Sequence, residues 1–167
     1  MKIFLILCVF AISTIESNSQ ALTITQLKQL TSKSLSDCEN FLIEKEYEFW
    51  RVDKQEDNCS MTWFTFGRNL STSAETFIAL AICNDRKPYT VFYQLHDKTK
   101  YLSLKKQAEL LGYKKRETKI DDDGTLRHIY TKNNDVIDEL QFLSGPSETN
   151  SNKIVYIVEI VKLANVY

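Results

Sequence analysis

Glycine is scarce in this chain, four residues in 167, and proline scarcer still at two. So few glycines leave no glycine-rich loop to cradle a phosphate, a structure that needs close backbone approach to the anion. Histidine occurs only twice, as His96 and His128, and the sequence contains no HExxH, no GxSxG and no metal-spaced Cys/His set. An excess of one charge is missing as well, with 21 Lys and Arg against 22 Asp and Glu. No global field therefore draws the protein towards nucleic acid or anionic lipid. Long apolar runs are also lacking. The longest near the N-terminus, Ile3 to Ile12, is about half of the roughly 20 residues needed to span a bilayer.

That short run has a clear setting. Lys2 precedes it, and small and polar residues from Ser13 to Ala21 follow it. This order predicts a signal peptide over residues 1–21, cleaved near residues 19–21, and hence a secreted or periplasmic protein with no membrane span. Cys8 lies within the apolar run after Leu7 and lacks the small neighbours that lipidation requires; a buried N-terminal helix is the other alternative.

Cleavage leaves Cys38, Cys59 and Cys83, an odd number in an oxidising compartment. Cys38 falls with Leu35 and Leu42 on one helical stripe, which makes it a small unpaired core residue. In a hairpin formed by Ser60 to Phe66 and Thr76 to Cys83, facing residues have numbers that sum to about 142, as 59 and 83 do. A Cys59–Cys83 cross-strand disulfide is therefore expected, two separate thiols being the alternative.

The pattern of the chain appears twice. Residues 41–66 and 107–132 each run from a helix end through a tyrosine (Tyr47, Tyr113) to a short strand, an acidic turn and a strand of alternating large residues. The tyrosines set the offset, 113 − 47 = 66 residues. Helical spacing over Thr23–Leu30, over a second helix boxed by Ser36 and Glu39, and over Tyr101–Leu111 precedes the period-two segments. Gly112 is the expected left-handed cap. Strands are expected at 48–53, 60–66, 76–83 and 89–95, then at 114–120, 125–131, 136–143 and 154–161, separated by polar turns that include residues 144–152. The predicted fold is α+β: a tandem repeat of a helical segment followed by a four-stranded antiparallel meander, with units at 22–96 and 97–167.

The stretch Asp121-Asp122-Asp123-Gly124 resembles a metal loop only superficially. Calcium ligands recur at alternate positions over about a dozen residues and end on a glutamate. Here the acids are adjacent and a glycine follows, which is hairpin chemistry. No catalytic residue, cofactor or metal site is predicted.

Binding surface is a different matter. A one-sided sheet alternates apolar and polar residues, yet Met61 and Trp63 oppose Phe64 and Phe66, and Phe77, Ala79 and Ala81 oppose Ile78, Leu80 and Ile82. One face covers the helices; the other needs the second unit or a partner. Trp50, Trp63, Tyr89 and Tyr93 are the candidate aromatic contacts, with Phe92 adding aromatic surface nearby. Lys114, Lys115 and Arg116, in the densest basic cluster, are a second candidate surface, although lysines on a sheet edge also discourage stray pairing.

This layout, an exported chain of two helix-plus-four-strand units, resembles the beta-lactamase inhibitor protein architecture. The resemblance is one of organisation across the mature chain and brings no residue-level motif. It implies a concave aromatic sheet surface that binds a protein. The expected function is thus an exported non-enzymatic binding module with a protein partner and no nucleic acid. The alternatives are a small secreted hydrolase of glycosidase or lysozyme type, using carboxylates without a motif, and a structural envelope protein.

Overall fold

The computed structural model of the chain describes residues 21–55, 58–67, 74–83, 87–132, 138–147 and 150–162, apart from the side chains at 138 and 150–152. Residues 1–20, nearly all of the segment expected to be a signal peptide, lie outside the described residues. Helices α1 (Ile24–Leu30) and α2 (Leu35–Glu44) precede strands β1 (Glu48–Lys54), β2 (Cys59–Phe66), β3 (Thr76–Cys83) and β4 (Thr90–Leu95). Helix α3 (Lys98–Leu110) precedes β5 (Lys114–Ile120), β6 (Leu126–Thr131), β7 (Asp138–Ser147) and β8 (Asn150–Lys162). The fold is α+β, with one antiparallel sheet of eight strands in the order β1-β2-β3-β4-β8-β7-β6-β5. Two meanders thus meet where β4 pairs with β8. No described helix is long and apolar enough to cross a membrane.

Local chemistry explains the helix starts. The Thr23 side chain accepts from Gln26 N–H while the Gln26 side chain accepts from Thr23 N–H. Helix α2 starts earlier than the expected Ser36 box. Ser34 is its cap, accepting from Asp37 N–H, and Ser34 Oγ in turn donates to Asp37 at 2.6 Å. Asp97 caps α3 by accepting from the N–H groups of Thr99 and Lys100.

Both α2 and α3 end the same way. The residue before each tyrosine has positive φ, 63° at Glu46 and 89° at Gly112. Tyr47 N–H then donates to Leu42 O, and Tyr113 N–H to Ala108 O, a closure that satisfies orphan helix carbonyls. The following hairpins match as well. The register slips between Phe49 and Arg51 in β1 and between Lys115 and Glu117 in β5, while Asn58 and Gly124 take positive φ in the turns. The Asp123-Gly124 segment is a turn: Gly124 N–H donates to Asp121 O, and Asp121 N–H to Thr125 O. Asp123 Oδ1 accepts from Thr125 N–H, which holds its carboxyl below the usual range.

The last hairpin departs from the sequence-based expectation of a turn from 144 to 152. Strands β7 and β8 run through it, pairing Gly145 with Val155 and Pro146 with Ile154. Proline is tolerated because β6 pairing stops at Ser144, so no neighbour requires its N–H. A Cβ at Gly145 would lie 2.5 Å from Thr125 Oγ1, so a larger residue there would require Thr125 to shift.

The core lies between the helices and one sheet face. Ile24, Leu27, Leu30, Cys38 and Leu42 from α1 and α2, with Tyr101, Leu104 and Ala108 from α3, pack on Phe64, Ile78, Leu80, Val91, Tyr93, Leu140, Phe142, Val158 and Ile160. Cys38 is free and buried, as its helical stripe predicts. Its Sγ–H donates to Leu30 O, and burial pushes the thiol up to about 11. Cys59 and Cys83 face each other in the β2–β3 register and form the disulfide.

Candidate functional site

The second face of the sheet carries none of the core cluster. Its alternate residues form one row across all eight strands: Arg51, Trp63, Ala79, Phe92, Glu159, Gln141, Ile129 and Glu117. A parallel row runs Thr65, Phe77, Gln94, Ile157, Leu143, Arg127 and Lys119. The side chains divide this open face into an apolar half on β1 to β4 that extends to Ile157 of β8, and a half on β5 to β8 where charged side chains gather around Ile129 and Leu143.

The apolar half holds a groove of about 140 Å³ lined by Met61, Trp63, Phe77, Phe92, Gln94 and Ile157. One ordered water needs only roughly 10–15 Å³ by the same measure, so the groove has room for a side chain. Its depth has a compositional cause. Ala79 on β3 is buried and small, while its neighbours Trp63 and Phe92 are large.

Trp50 reaches this face through the β1 bulge. As the extra residue between Phe49 and Arg51, it places its ring 6.2 Å from Trp63 and 5.5 Å from Phe77. Arg51 shares the face and lies 4.3 Å from the Trp50 ring centre and 5.4 Å from that of Trp63. Asp53 closes the cluster, accepting from Trp63 Nε1 at 2.8 Å and meeting Arg51 at 3.1 Å. His96, just past β4, stands edge-on to Phe77 at 6.4 Å, and burial lowers its pKa.

In the polar half, Arg127 donates to Asp121 through Nε and Nη2 at 3.1 and 2.8 Å. Its Nη1 reaches Glu159 at 3.4 Å and also bonds Gln141. Gln141 donates in turn to Glu139. Burial raises the pKa of Glu159, an effect that Arg127 only partly offsets.

Of the residues expected at a binding surface, Trp50 and Trp63 come together here. Tyr93 does not. It is fully buried on the helix side, where its hydroxyl accepts from Leu22 N–H and from Tyr47 Oη–H. Period two explains this: adjacent Phe92 and Tyr93 face opposite ways, and the core takes the tyrosine. Tyr89 precedes β4 in alternation with Val91 and Tyr93, and its backbone bonds Ala81 and Lys162. Lys114, Lys115 and Arg116 are exposed on edge strand β5. That edge lies seven strand spacings, roughly 33 Å, from β1, so the basic and aromatic candidates form two separate surfaces. Near that edge, Thr118 Oγ1 lies 3.0 Å from His128 Nδ1. Burial, followed by Lys105 and Lys115, lowers the His128 pKa.

Phe92, expected as aromatic surface nearby, does line the groove; Gln94 and Ile157 were not among the expected contacts. Glu159 and Arg127 were also missed. The available signal was a lone acid inside the apolar run Ile154–Val161. Among the described residues no three His, Cys, Asp or Glu side chains form a metal-ligand set. Compared with family models, curated proteins and solved structures, the chain matches none.

Proposed function

We propose that the chain is an exported, non-enzymatic binding module that recognises a protein through its open sheet face. The observation that carries this reading is the groove beside Trp50 and Trp63, an apolar recess on a face that the core leaves out. Rigid aromatic rings around a recess are the usual anchors of protein recognition. The Cys59–Cys83 disulfide fits an oxidising compartment and supports export after leader cleavage near residues 19–21. The constant 66-residue offset between helix ends, bulges and turns supports a tandem arrangement of two units. Such an arrangement would make the sheet comparable to the beta-lactamase inhibitor layout.

The test compares the mature protein with a Trp50→Ala, Trp63→Ala variant shown by circular dichroism to be folded. Both are used as bait against envelope and culture-supernatant fractions. A partner held by the first and lost by the second supports the reading; a partner held equally by both moves the site off this face.

A hydrolase reading has one observation in its favour. Glu159 and Glu139 are two carboxylates on the open face, and burial raises the pKa of Glu159. Cleavage of cell-wall glycan by the mature protein, abolished by Glu159→Gln, would replace the binding reading.

A further inference from the structure

The open face has a chemical polarity that specifies its occupant more narrowly than "a protein". The groove ends at β8, where Ile157 lines it and Phe92 pairs with Glu159 across the β4–β8 ladder. Ile157 and Glu159 are same-face neighbours, roughly 6.5 Å apart along the strand. A recess for an apolar group and a half-buried carboxylate are therefore spaced like residues i and i+2 of an extended segment.

Immediately around Arg127 the described carboxylates outnumber the cations. Asp121 and Glu159 share the guanidinium of Arg127, Glu139 accepts only from Gln141 among the described contacts, and Lys119 is engaged with Glu117 at 3.3 Å. Arg127 sits closer to Asp121, at 2.8 Å, than to Glu159, at 3.4 Å. The desolvated carboxylate of Glu159 thus holds the weaker share of its cation. A second cation placed over Glu159 and Glu139 would balance the face, which is the charge complementarity that fixes register at interfaces.

We propose that the open face accepts an extended protein segment of the form apolar-x-basic. An aromatic or branched aliphatic side chain enters the groove between Trp63 and Ile157, and the lysine or arginine two residues on meets Glu159 and Glu139. This rests on the reading of the open face as a protein-binding site, and it adds the chemistry of the ligand and its course along β8.

The experiment uses three N-acetylated, C-amidated peptides, Phe-Gly-Lys, Phe-Gly-Gln and Phe-Gly-Glu. Each is titrated into the mature, disulfide-bonded protein while the Trp63 Nε1–H resonance is followed by NMR. All three are expected to shift that resonance. Phe-Gly-Lys should bind about three- to tenfold more tightly than Phe-Gly-Gln, with Phe-Gly-Glu weakest. Glu139→Gln should bring the Phe-Gly-Lys constant towards that of Phe-Gly-Gln, and added salt should do the same. Equal constants for the three peptides would overturn the apolar-x-basic assignment and leave the groove as a site. No movement of Trp63 with any peptide at millimolar concentration would overturn the protein-segment reading itself.

Discussion

Trp63 Nε1 donates a 2.8 Å hydrogen bond to Asp53 Oδ2, across the β1–β2 ladder and on the sheet face that the helices leave uncovered. The bond fixes the azimuth of an indole that walls the groove, and it satisfies the one polar atom of that ring. Asp53→Ala removes this bond and the Arg51 partner together. The expected cost is about 0.5–1.5 kcal/mol in denaturant unfolding, with displacement of the Trp63 indole resonance. An unmoved resonance would mean that packing on Trp50 and Phe77 orients the ring by itself.

The disulfide and the lone thiol predict a two-part chemical result. Reduction, or replacement of Cys59 and Cys83 by serine, should lower stability by about 2–4 kcal/mol, read as a fall in the denaturation midpoint. Cys38 is buried and its thiol is pushed up to about 11, so in the native mature chain it should resist a thiol reagent at neutral pH. One reactive thiol per mature chain should appear on unfolding, and rapid labelling of the folded protein would contradict the placement of Cys38 in the core.

Glu159 sets the sign of a pH effect. Its folded pKa is raised above the unfolded value near 4.5, chiefly by burial. The folded state therefore binds the proton more tightly, and stability from this group falls as pH rises from about 4.5 through the raised value. Glu159→Gln should flatten that fall and leave the protein at least as stable at neutral pH, since Arg127 keeps Asp121. A loss of stability at neutral pH would show that the Arg127–Glu159 pair outweighs desolvation. Urea unfolding of both proteins between pH 4 and 8 decides it.

Tyr93 separates core from surface. Its hydroxyl links Leu22 N–H and Tyr47, whose own hydroxyl accepts from Thr76 Oγ1 at 3.2 Å. Tyr93→Phe strands the buried Leu22 N–H and should cost about 1–2 kcal/mol. Binding on the open face should be unchanged, because the ring lies on the other side of the sheet. Trp63→Ala should do the reverse. If Tyr93→Phe weakens binding as Trp63→Ala does, the two faces are coupled.

The legible parts of this fold were those with local causes. The β2–β3 register followed from alternation, and with it the Cys59–Cys83 bond. Gly112 announced the end of α3, and Asp123-Gly124 announced a turn. What could not be read needed partners distant in sequence. The bulge that brings both Trp50 and Arg51 to the open face is a property of the pairing with β2, invisible in β1 alone. The strand-forming use of Gly145 and Pro146 depends on where β6 stops and on Thr125. The β4–β8 ladder that merges two meanders into one sheet has no local signal in either strand. Since Phe92, Ile157 and Glu159 meet only across that ladder, the site was legible at Trp50 and Trp63 and dark at its centre.

Strand β8 is the last described element in sequence, yet it sits in the middle of the sheet, bonded to β4 on one side and β7 on the other. The order of synthesis therefore runs against the order of assembly. Until residues 150–162 emerge, β4 and β7 each present an unpaired edge, with the apolar segment Thr90–Leu95 on one of them. Such edges invite pairing with other chains. The nascent protein is thus most vulnerable before β8 has emerged, and a chaperone that shields extended segments would be needed longest for β4. Truncation within β8 would split the sheet through its centre, and the two meanders would be left without their common strand.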